Sequence, residues 1–454
     1  MSIFRAYDIR GIVGESLTPD IVTQIGQAIG SEAALKNQKT VAVGRDGRLS
    51  GPELIQALIK GLRMAGRDVI DIGMIPTPVL YFATYHLKTG SGVMLTGSHN
   101  PSNYNGMKIM IDGDTLAGDA IQTLRRRVEQ QDFITGEGQL KTLDIQQDYV
   151  QRIVQDVKLK HPFKVVVDCG NGAAGHLAPQ LLKALGCEVI ELFCEVDGNF
   201  PNHHPDPTVL KNLEDLIKTV KETGADLGLG FDGDGDRLGV VDADGQVVWP
   251  DRQMILYATD ILNRNPNAAI VYDVKCSRHL GKSIAEQGGK PVMWCTGHSL
   301  IKAKIKQEQA LLGGEMSGHI FFKERWYGFD DALYTAARLL EILAKDERTP
   351  TEIFTALPNA VSTPELKLEL EKEGENFELM KKVLDSFKFE AAEIITIDGL
   401  RADFADGWGL VRPSNTTPCL VIRFEAETQA GLERIQQDFR RQFLAIDASL
   451  NLPF

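Results

Sequence analysis

"VAVGRDGRLSGPELIQALIKGLRMAGRDVIDIG", residues 41 to 73, opens on a short β-branched run, passes through a polar glycine-containing turn, and then repeats leucine at helical spacing. Leu54, Leu58 and Leu62 fall on one helix face. The helical pattern ends near a glycine, and a second apolar run follows. This order predicts a βαβ unit. It recurs in "KVVVDCGNGAAGHLAPQLLKALGCEVIEL", residues 164 to 192, where Leu177, Leu181 and Leu185 form the stripe, and in "AAIVYDVKCSRHLGKSIAEQGGKPVMWC", residues 268 to 295. Units of this kind favour mixed or parallel sheets with helices packed on them, so three similar α/β domains are expected. From about residue 359 the pattern changes to helix, strands joined by turns, a further strand and a final helix, which predicts a C-terminal α+β domain. The expected divisions are 1–145, 146–246, 247–358 and 359–454. The charged run "ELKLELEKEGENFE", residues 365 to 378, reads as a solvated surface near the last junction.

The 454 residues suffice for several domains, and 43% hydrophobic content supplies apolar material for several cores. The formal net charge of −13 argues against a general nucleic-acid surface. An anionic ligand would therefore need locally concentrated positive charge. The six cysteines show neither a C-x-x-C pair nor zinc spacing and read as free thiols in a reducing compartment. No apolar run reaches the ~18 residues of a membrane span, and the N-terminus lacks a signal-like apolar region. A soluble cytoplasmic protein is expected.

The strongest chemical signal is "LGLGFDGDGDRLGVVDADG", residues 227 to 245. Asp232, Asp234 and Asp236 alternate with Gly233 and Gly235. Three carboxylates this close repel one another unless a cation lies between them, and hard divalent ions take oxygen ligands. An EF-hand is excluded by Arg237 at the sixth position and Ala243 at the twelfth. Strand-like flanks favour magnesium on a strand–loop–strand. Arg237 could meet an anion held on the metal.

Other polar loops are weaker alone. "LTGSHNPSNYNGMK", residues 95 to 108, presents Ser98 in a turn, either as a turn residue or as a nucleophile. "RPSNTTP", residues 412 to 418, offers the fork of Arg412, the hydroxyls of Ser414, Thr416 and Thr417, and the amide of Asn415 for a phosphate. "GGEMSGH", residues 313 to 319, places Glu315, Ser317 and His319 where sugar hydroxyls could be bound. Lys275 and His298 follow strands, where α/β folds place ligand groups. "FRAYDIRG" offers Tyr7 and Arg10. His203 and His204 read as loop residues.

Together the loops "TGSHNP", "DGDGDR", "GEMSGH" and "RPSNTTP" resemble the α-D-phosphohexomutase superfamily, in its order and spacing, along essentially the whole chain. "FRAYDIRG", "TGSHNP" and "GEMSGHIFFKERWYGFDDALY" look most like its bacterial bifunctional phosphomannomutase/phosphoglucomutase branch. "GEMSGH" departs from the "GEQSGH" usual in phosphoglucosamine mutases, which makes those the alternative. The resemblance implies four domains around a central cleft, with one loop from each. It implies a phosphorylated Ser98, with Mg2+ held by Asp232, Asp234, Asp236 and a phosphoserine oxygen. The sugar would meet the loop of Glu315, Met316, Ser317, Gly318 and His319. Arg412, Ser414, Asn415 and Thr416 would hold the non-reacting phosphate, and Tyr7, Arg10, Lys108, Lys275, His298 and His319 would line the cleft. The implied activity exchanges hexose 6-phosphate and hexose 1-phosphate of mannose and glucose through a 1,6-bisphosphate, which also serves as activator, and feeds nucleotide-sugar and surface polysaccharide synthesis. A monomer acting on small phosphosugars, without nucleic-acid or membrane partners, is implied. In that chemistry Arg237 and Lys108 are expected to stabilise charge, His99 to support the serine loop, and His319, then Lys108 and Arg10, to handle the hydroxyl proton. Turning the bisphosphate calls for a fourth domain that can swing, with a hinge around residues 355 to 370.

Overall fold

The computed structural model describes residues 3–372, 374–415 and 417–454. Each of the three repeats forms its βαβ unit. The strand Thr40–Arg45, helix Gly51–Met64 and strand Asp68–Met74 make the first, with the two strands parallel. Lys164–Asp168, Leu177–Ala184 and Glu188–Leu192 make the second. Ala269–Asp273, Arg278–Glu286 and Lys290–Trp294 make the third. Just beyond each helix lies a glycine, Gly66, Gly186 or Gly288, with φ of 76°, 96° and 76°. That left-handed conformation satisfies the last helical carbonyls and costs a glycine little, so the chain reverses there.

These units sit in mixed sheets of seven, five and four strands. The antiparallel strands lie towards one side of each sheet and carry the polar loops. Leu227–Phe231 and Leu238–Asp242 form a hairpin around the acidic triplet, and Leu312–Gly314 and Ile320–Phe322 form one around "EMSGH". A fourth, antiparallel sheet of six strands spans residues 361–426, covered by the helices Glu375–Ser386 and Gln429–Ile446. The expectation of three α/β domains and a C-terminal α+β domain is met.

The charges of the run lie largely exposed, as the surface reading expects, but the run also holds a strand. Leu366–Glu369 is a strand paired antiparallel to Cys419–Ile422. Leu368 points inward at 4% exposure while Lys367 and Glu369 face out. Alternation is the mark of a half-buried edge strand, and charge on its outer face is what protects such an edge.

The helix Thr77–His86 explains how the first three sheets join. Its residues 77 to 84 are all buried, as its apolar-all-round sequence requires. Phe82 packs edge-on to Tyr149 and stacks on Trp326 at centroid distances of 5.5 and 6.3 Å, linking three parts of the chain. Pairs of this kind add about 0.5–1.5 kcal/mol each beyond area burial.

Candidate active site

The serine loop hangs between the strands Gly92–Leu95 and Tyr104–Ile111. Ser98 adopts φ of 49°, uncommon for a residue with a side chain, and is 4% exposed. Two residues outside the sequence motifs impose this conformation. Asp46 accepts from Thr96 Oγ1 at 2.7 Å and from Gly97 N at 3.2 Å. Arg48 donates to the carbonyls of Ser98, Asn100, Pro101 and Tyr104 at 2.5–2.9 Å and pairs with Asp46 at 3.2 Å. Both lie in "GRDGRLSG", the strand-to-helix turn of the first repeat. Nothing in the spacing of that turn marks it as a partner of the serine loop.

Ser98 Oγ lies 3.1 Å from His99 Nδ1 and 3.4 Å from Asp232 Oδ2. Burial, followed by the charge of Arg237, keeps the His99 pKa well below that of a free histidine. Arg10 reaches the same loop, donating to Asn100 Oδ1 at 2.5 Å and Asp8 Oδ2 at 2.6 Å.

Asp232, Asp234 and Asp236 are fully buried, and one oxygen from each lies within 4.8 Å of the others. Gly235, at φ 74°, turns the loop so that alternate side chains converge. Asp232 Oδ1 accepts the N–H groups of Asp236 and Arg237 at 3.0 and 3.1 Å. Asp234 Oδ2 accepts from Thr77 Oγ1 at 2.5 Å and Lys108 Nζ at 2.7 Å, and Lys108 also pairs with Asp236. Thr77 opens the buried helix Thr77–His86, so a positive helix end faces the acids. Burial, then repulsion from Asp236 and Asp234, raises the Asp232 pKa to about 8. Asp234 Oδ1 is buried without a hydrogen-bond partner among the described residues, and Asp236 Oδ1 faces His319 Nε2 at 3.2 Å. One orphaned carboxylate oxygen among mutually repelling acids around one point fits a hard divalent cation.

Gly233 is where the two loops touch. A Cβ there would stand 2.4 Å from the Ser98 carbonyl oxygen. Gly233→Ala is therefore expected to push the serine and metal loops apart, costing about 1–3 kcal/mol as overpacking does and lowering kcat by roughly tenfold or more through misplacement. Melting and steady-state rates measure both, and a variant with unchanged kcat would show the contact to be irrelevant.

Arg237 pairs with Asp232 through Nε at 3.1 Å and with Asp206 at 3.4 Å, leaving a buried Nη2 without a partner among the described residues. Arg237 also forms a backbone bridge to His319, and Leu238 N donates to Gly318 O at 3.2 Å, so the "EMSGH" loop docks on the acidic loop. His319 lies between Glu315 Oε2 at 3.1 Å and Asp236 Oδ1 at 3.2 Å. Burial opposes its charge, but Asp236 and Glu315 outweigh burial and lift its pKa to about 10. The two carboxylates beside the ring therefore favour its protonated form. Ser317 Oγ stands 3.0 Å from His319 Nδ1, Met316 N donates to Asp273 Oδ1 at 3.3 Å, and Gly318 has φ of 98°.

The remaining expected residues contact these loops or one another. The rings of His298 and His319 stack at 5.7 Å. Glu315 Oε1 accepts Gly297 N at 2.5 Å. A Cβ on Gly297 would meet the Tyr7 ring at 2.8 Å, and Tyr7 OH donates to Thr296 O at 3.1 Å while accepting from Asn415 Nδ2. Lys275 pairs with Glu365 at 2.5 Å, and Arg412 with Asp398 at 2.9 Å. Ser414 Oγ and Thr417 Oγ1 are 3.0 Å apart. Thr416 lies outside the described residues. His203, read as a plain loop residue, lies 3.0 Å from Asp168 through Nε2. Besides Asp46 and Arg48, the sequence reading missed Thr77, Asp206, Glu365 and Asp398. Each acts through a partner distant in the chain, so no local spacing marks it.

Models for phosphoglucomutase/phosphomannomutase α/β/α domains I, II and III match residues 1–135, 147–245 and 249–361, and that for the C-terminal domain matches 365–442. The chain belongs to the phosphoglucomutase/phosphomannomutase family. A phosphomannomutase/phosphoglucomutase of Pseudomonas putida is 58% identical over 453 residues, covering 100% of this chain and 98% of that protein. A phosphoglucomutase of Neisseria meningitidis serogroup A is 54% identical over 441 residues, covering 96% of each. The crystal structure of a phosphoglucomutase/phosphomannomutase family protein from Burkholderia thailandensis superimposes with a TM-score of 0.95 at 54% identity, covering 100% of this chain and 99% of that one. Family membership makes this chain a phosphohexomutase, an enzyme that moves phosphate within a hexose. No helix among the described residues is long and apolar enough to cross a membrane.

Proposed function

We propose that this phosphohexomutase interconverts the 6- and 1-phosphates of mannose and glucose through phospho-Ser98 and a hexose 1,6-bisphosphate. The observation that carries the reading is the buried meeting of Ser98 Oγ with the acidic triplet and Arg237. Phosphate at C1 cannot reach C6 across the ring, so a group on the enzyme must carry it. Phospho-Ser98 gives its phosphoryl group to the free sugar hydroxyl: the Oγ–P bond breaks, a sugar O–P bond forms, and the hydroxyl proton leaves. The bisphosphate turns over, and Ser98 Oγ takes the other phosphate back.

Asp232, Asp234 and Asp236, with an oxygen of phospho-Ser98, would hold a magnesium ion, which supplies charge neutralisation at the phosphoryl oxygens when bound. Arg237, whose Nη2 is buried without a partner among the described residues, and the buried Lys108 both contact the acidic triplet, so both are placed to offset charge that grows during transfer. A proton on His319 suits the return step, in which the sugar oxygen leaves phosphorus and must be protonated. The forward step needs His319 to release it first; Lys108 and Arg10 are the next candidates for the hydroxyl proton. Glu315 and Ser317 would bind sugar hydroxyls, and Arg412, Ser414, Asn415 and Thr416 the non-reacting phosphate. The divisions 1–145, 146–246, 247–358 and 359–454 assign one of these loops to each unit. Such an enzyme works as a cytoplasmic monomer supplying nucleotide sugars for surface polysaccharide.

Peptide mass mapping after incubation with glucose 1,6-bisphosphate and Mg2+ tests the reading. One phosphate is expected on the peptide carrying Ser98, and chelation with EDTA beforehand should slow its further transfer. No phosphate there would sink the mechanism. Faster turnover of glucosamine 1-phosphate than of mannose and glucose 1-phosphates would instead favour a phosphoglucosamine mutase.

A further inference from the structure

Arg412 enters the cleft from the strand Gly407–Pro413. Among the described residues its guanidinium makes one hydrogen bond, from Nε to Asp398 Oδ2 at 2.9 Å. A guanidinium is a planar fork of five N–H donors. Holding Nε fixes its plane and leaves the terminal Nη1 and Nη2 pair to grip a phosphate in the bidentate manner that gives such pairs their strength. The side chains of Arg412 and Asp398 are only 7% and 12% exposed, so solvent competes little for the contact.

The same oxygen of Asp398 has a second partner. Oδ2 accepts the backbone N–H of Thr296 at 2.9 Å, from the loop that follows the third sheet's edge strand Lys290–Trp294. Thr296 O in turn accepts from Tyr7, which contacts Asn415 of the phosphate loop. Cys295 Sγ meets Ile397 O at 3.1 Å. Asp398 is thus the point where the fourth sheet's turn, the third sheet's loop and the phosphate-loop arginine share one acceptor. The turn is shaped for it. Gly399 has φ of 83°, and a Cβ there would stand 2.3 Å from Val411 O and 2.6 Å from Arg412 Cα. Only a glycine lets the backbone beside Asp398 lie directly against Arg412.

We infer that Asp398 is a positioning residue: it orients Arg412 for the non-reacting phosphate, through the oxygen that also receives Thr296 N–H when the third and fourth units meet. This rests on the reading of Arg412 as a phosphate ligand. The aim of Arg412 is then set by a turn of its own sheet, which Thr296 of the third unit also contacts, rather than by the phosphate loop alone. Asp398 touches neither the sugar nor the transferring phosphoryl group, so its removal weakens capture of the phosphosugar more than it slows the chemistry.

The experiment compares the full-length enzyme with D398A, D398N, R412A and the double variant D398A/R412A, measuring KM and kcat for glucose 1-phosphate with Mg2+ and glucose 1,6-bisphosphate. D398A is expected to raise KM about tenfold while kcat changes by less than about threefold. D398N should fall between D398A and wild type, because an amide oxygen still accepts both N–H groups without the charge. In the R412A background D398A should add nothing further to KM, since Asp398 acts through Arg412. D398N keeps the shape of the side chain and preserves the test should D398A fold poorly. A wild-type KM for both Asp398 variants, alongside a raised KM for R412A, overturns the inference. So does an equal rise in KM from D398A with and without Arg412. An unchanged KM for R412A itself would overturn the reading of Arg412, a different failure from the first two.

Discussion

Replacing Ser98 by alanine is expected to lower kcat by about four orders of magnitude or more, with no recovery at high substrate or bisphosphate. The size follows from the chemistry. On the proposed mechanism, removing the buried hydroxyl removes the acceptor of the phosphoryl group. Ser98 Oγ is the oxygen that stands 3.4 Å from Asp232 Oδ2. His99 is held neutral and lies beside the serine, but its Nδ1 faces Oγ rather than the cleft centre. The fold should not suffer, because the loop is anchored through Ser98 N, Ser98 O and the Asp46–Arg48 pair rather than through the hydroxyl. Melting close to wild type, retained binding of glucose 1-phosphate and absent turnover are the expected combination. Residual activity within tenfold of wild type would mean that phosphate passes by another route.

The largest stability effect is expected at Arg48, which no motif contains. Its guanidinium is 1% exposed and donates five hydrogen bonds, to four carbonyls of the serine loop and to Asp46. It also lies 5.1 Å from the ring of Phe200, in a loop of the second unit. Arg48→Ala strands a buried carboxylate and four carbonyls at once. Breaking a buried pair by deleting one partner costs about 3–5 kcal/mol, which corresponds to a fall of roughly 10 °C in the melting of the first unit. Arg48→Lys should recover little, since an ammonium cannot reach the four carbonyls that a planar fork serves. Activity should fall as well, because Ser98 keeps its left-handed backbone only while its carbonyl is held. Scanning calorimetry with rates on the same samples checks both. A melting point within a degree or two of wild type would show that water replaces the guanidinium without loss.

The two residues differ in how far the sequence exposes them. Ser98 lies in a loop whose composition marks it, and the acidic triplet supplies the reason for a phosphoserine. Arg48 lies in a loop that reads as an ordinary turn of the first repeat. Its importance comes from carbonyls 50 to 56 residues away, and no spacing rule reaches that far.

The same division runs through the molecule. By itself the sequence determined the three βαβ units, the C-terminal change of pattern and the chemical type of each loop. Those depend on period, on turn glycines and on neighbouring side chains within a few residues. Leu366–Glu369 escaped only because its charges outweighed its alternation; the pattern was present. Tertiary structure decided which groups meet. Lys108 bridges Asp234 and Asp236 from 126 and 128 residues away, His319 is set between Asp236 and Glu315, and Arg412 is paired with Asp398. In each case the partner is chosen by how separate sheets pack, and burial between them makes a single charge pair strong enough to set protonation and orientation. Local sequence encodes the loops; only their convergence in a desolvated cleft makes them one site.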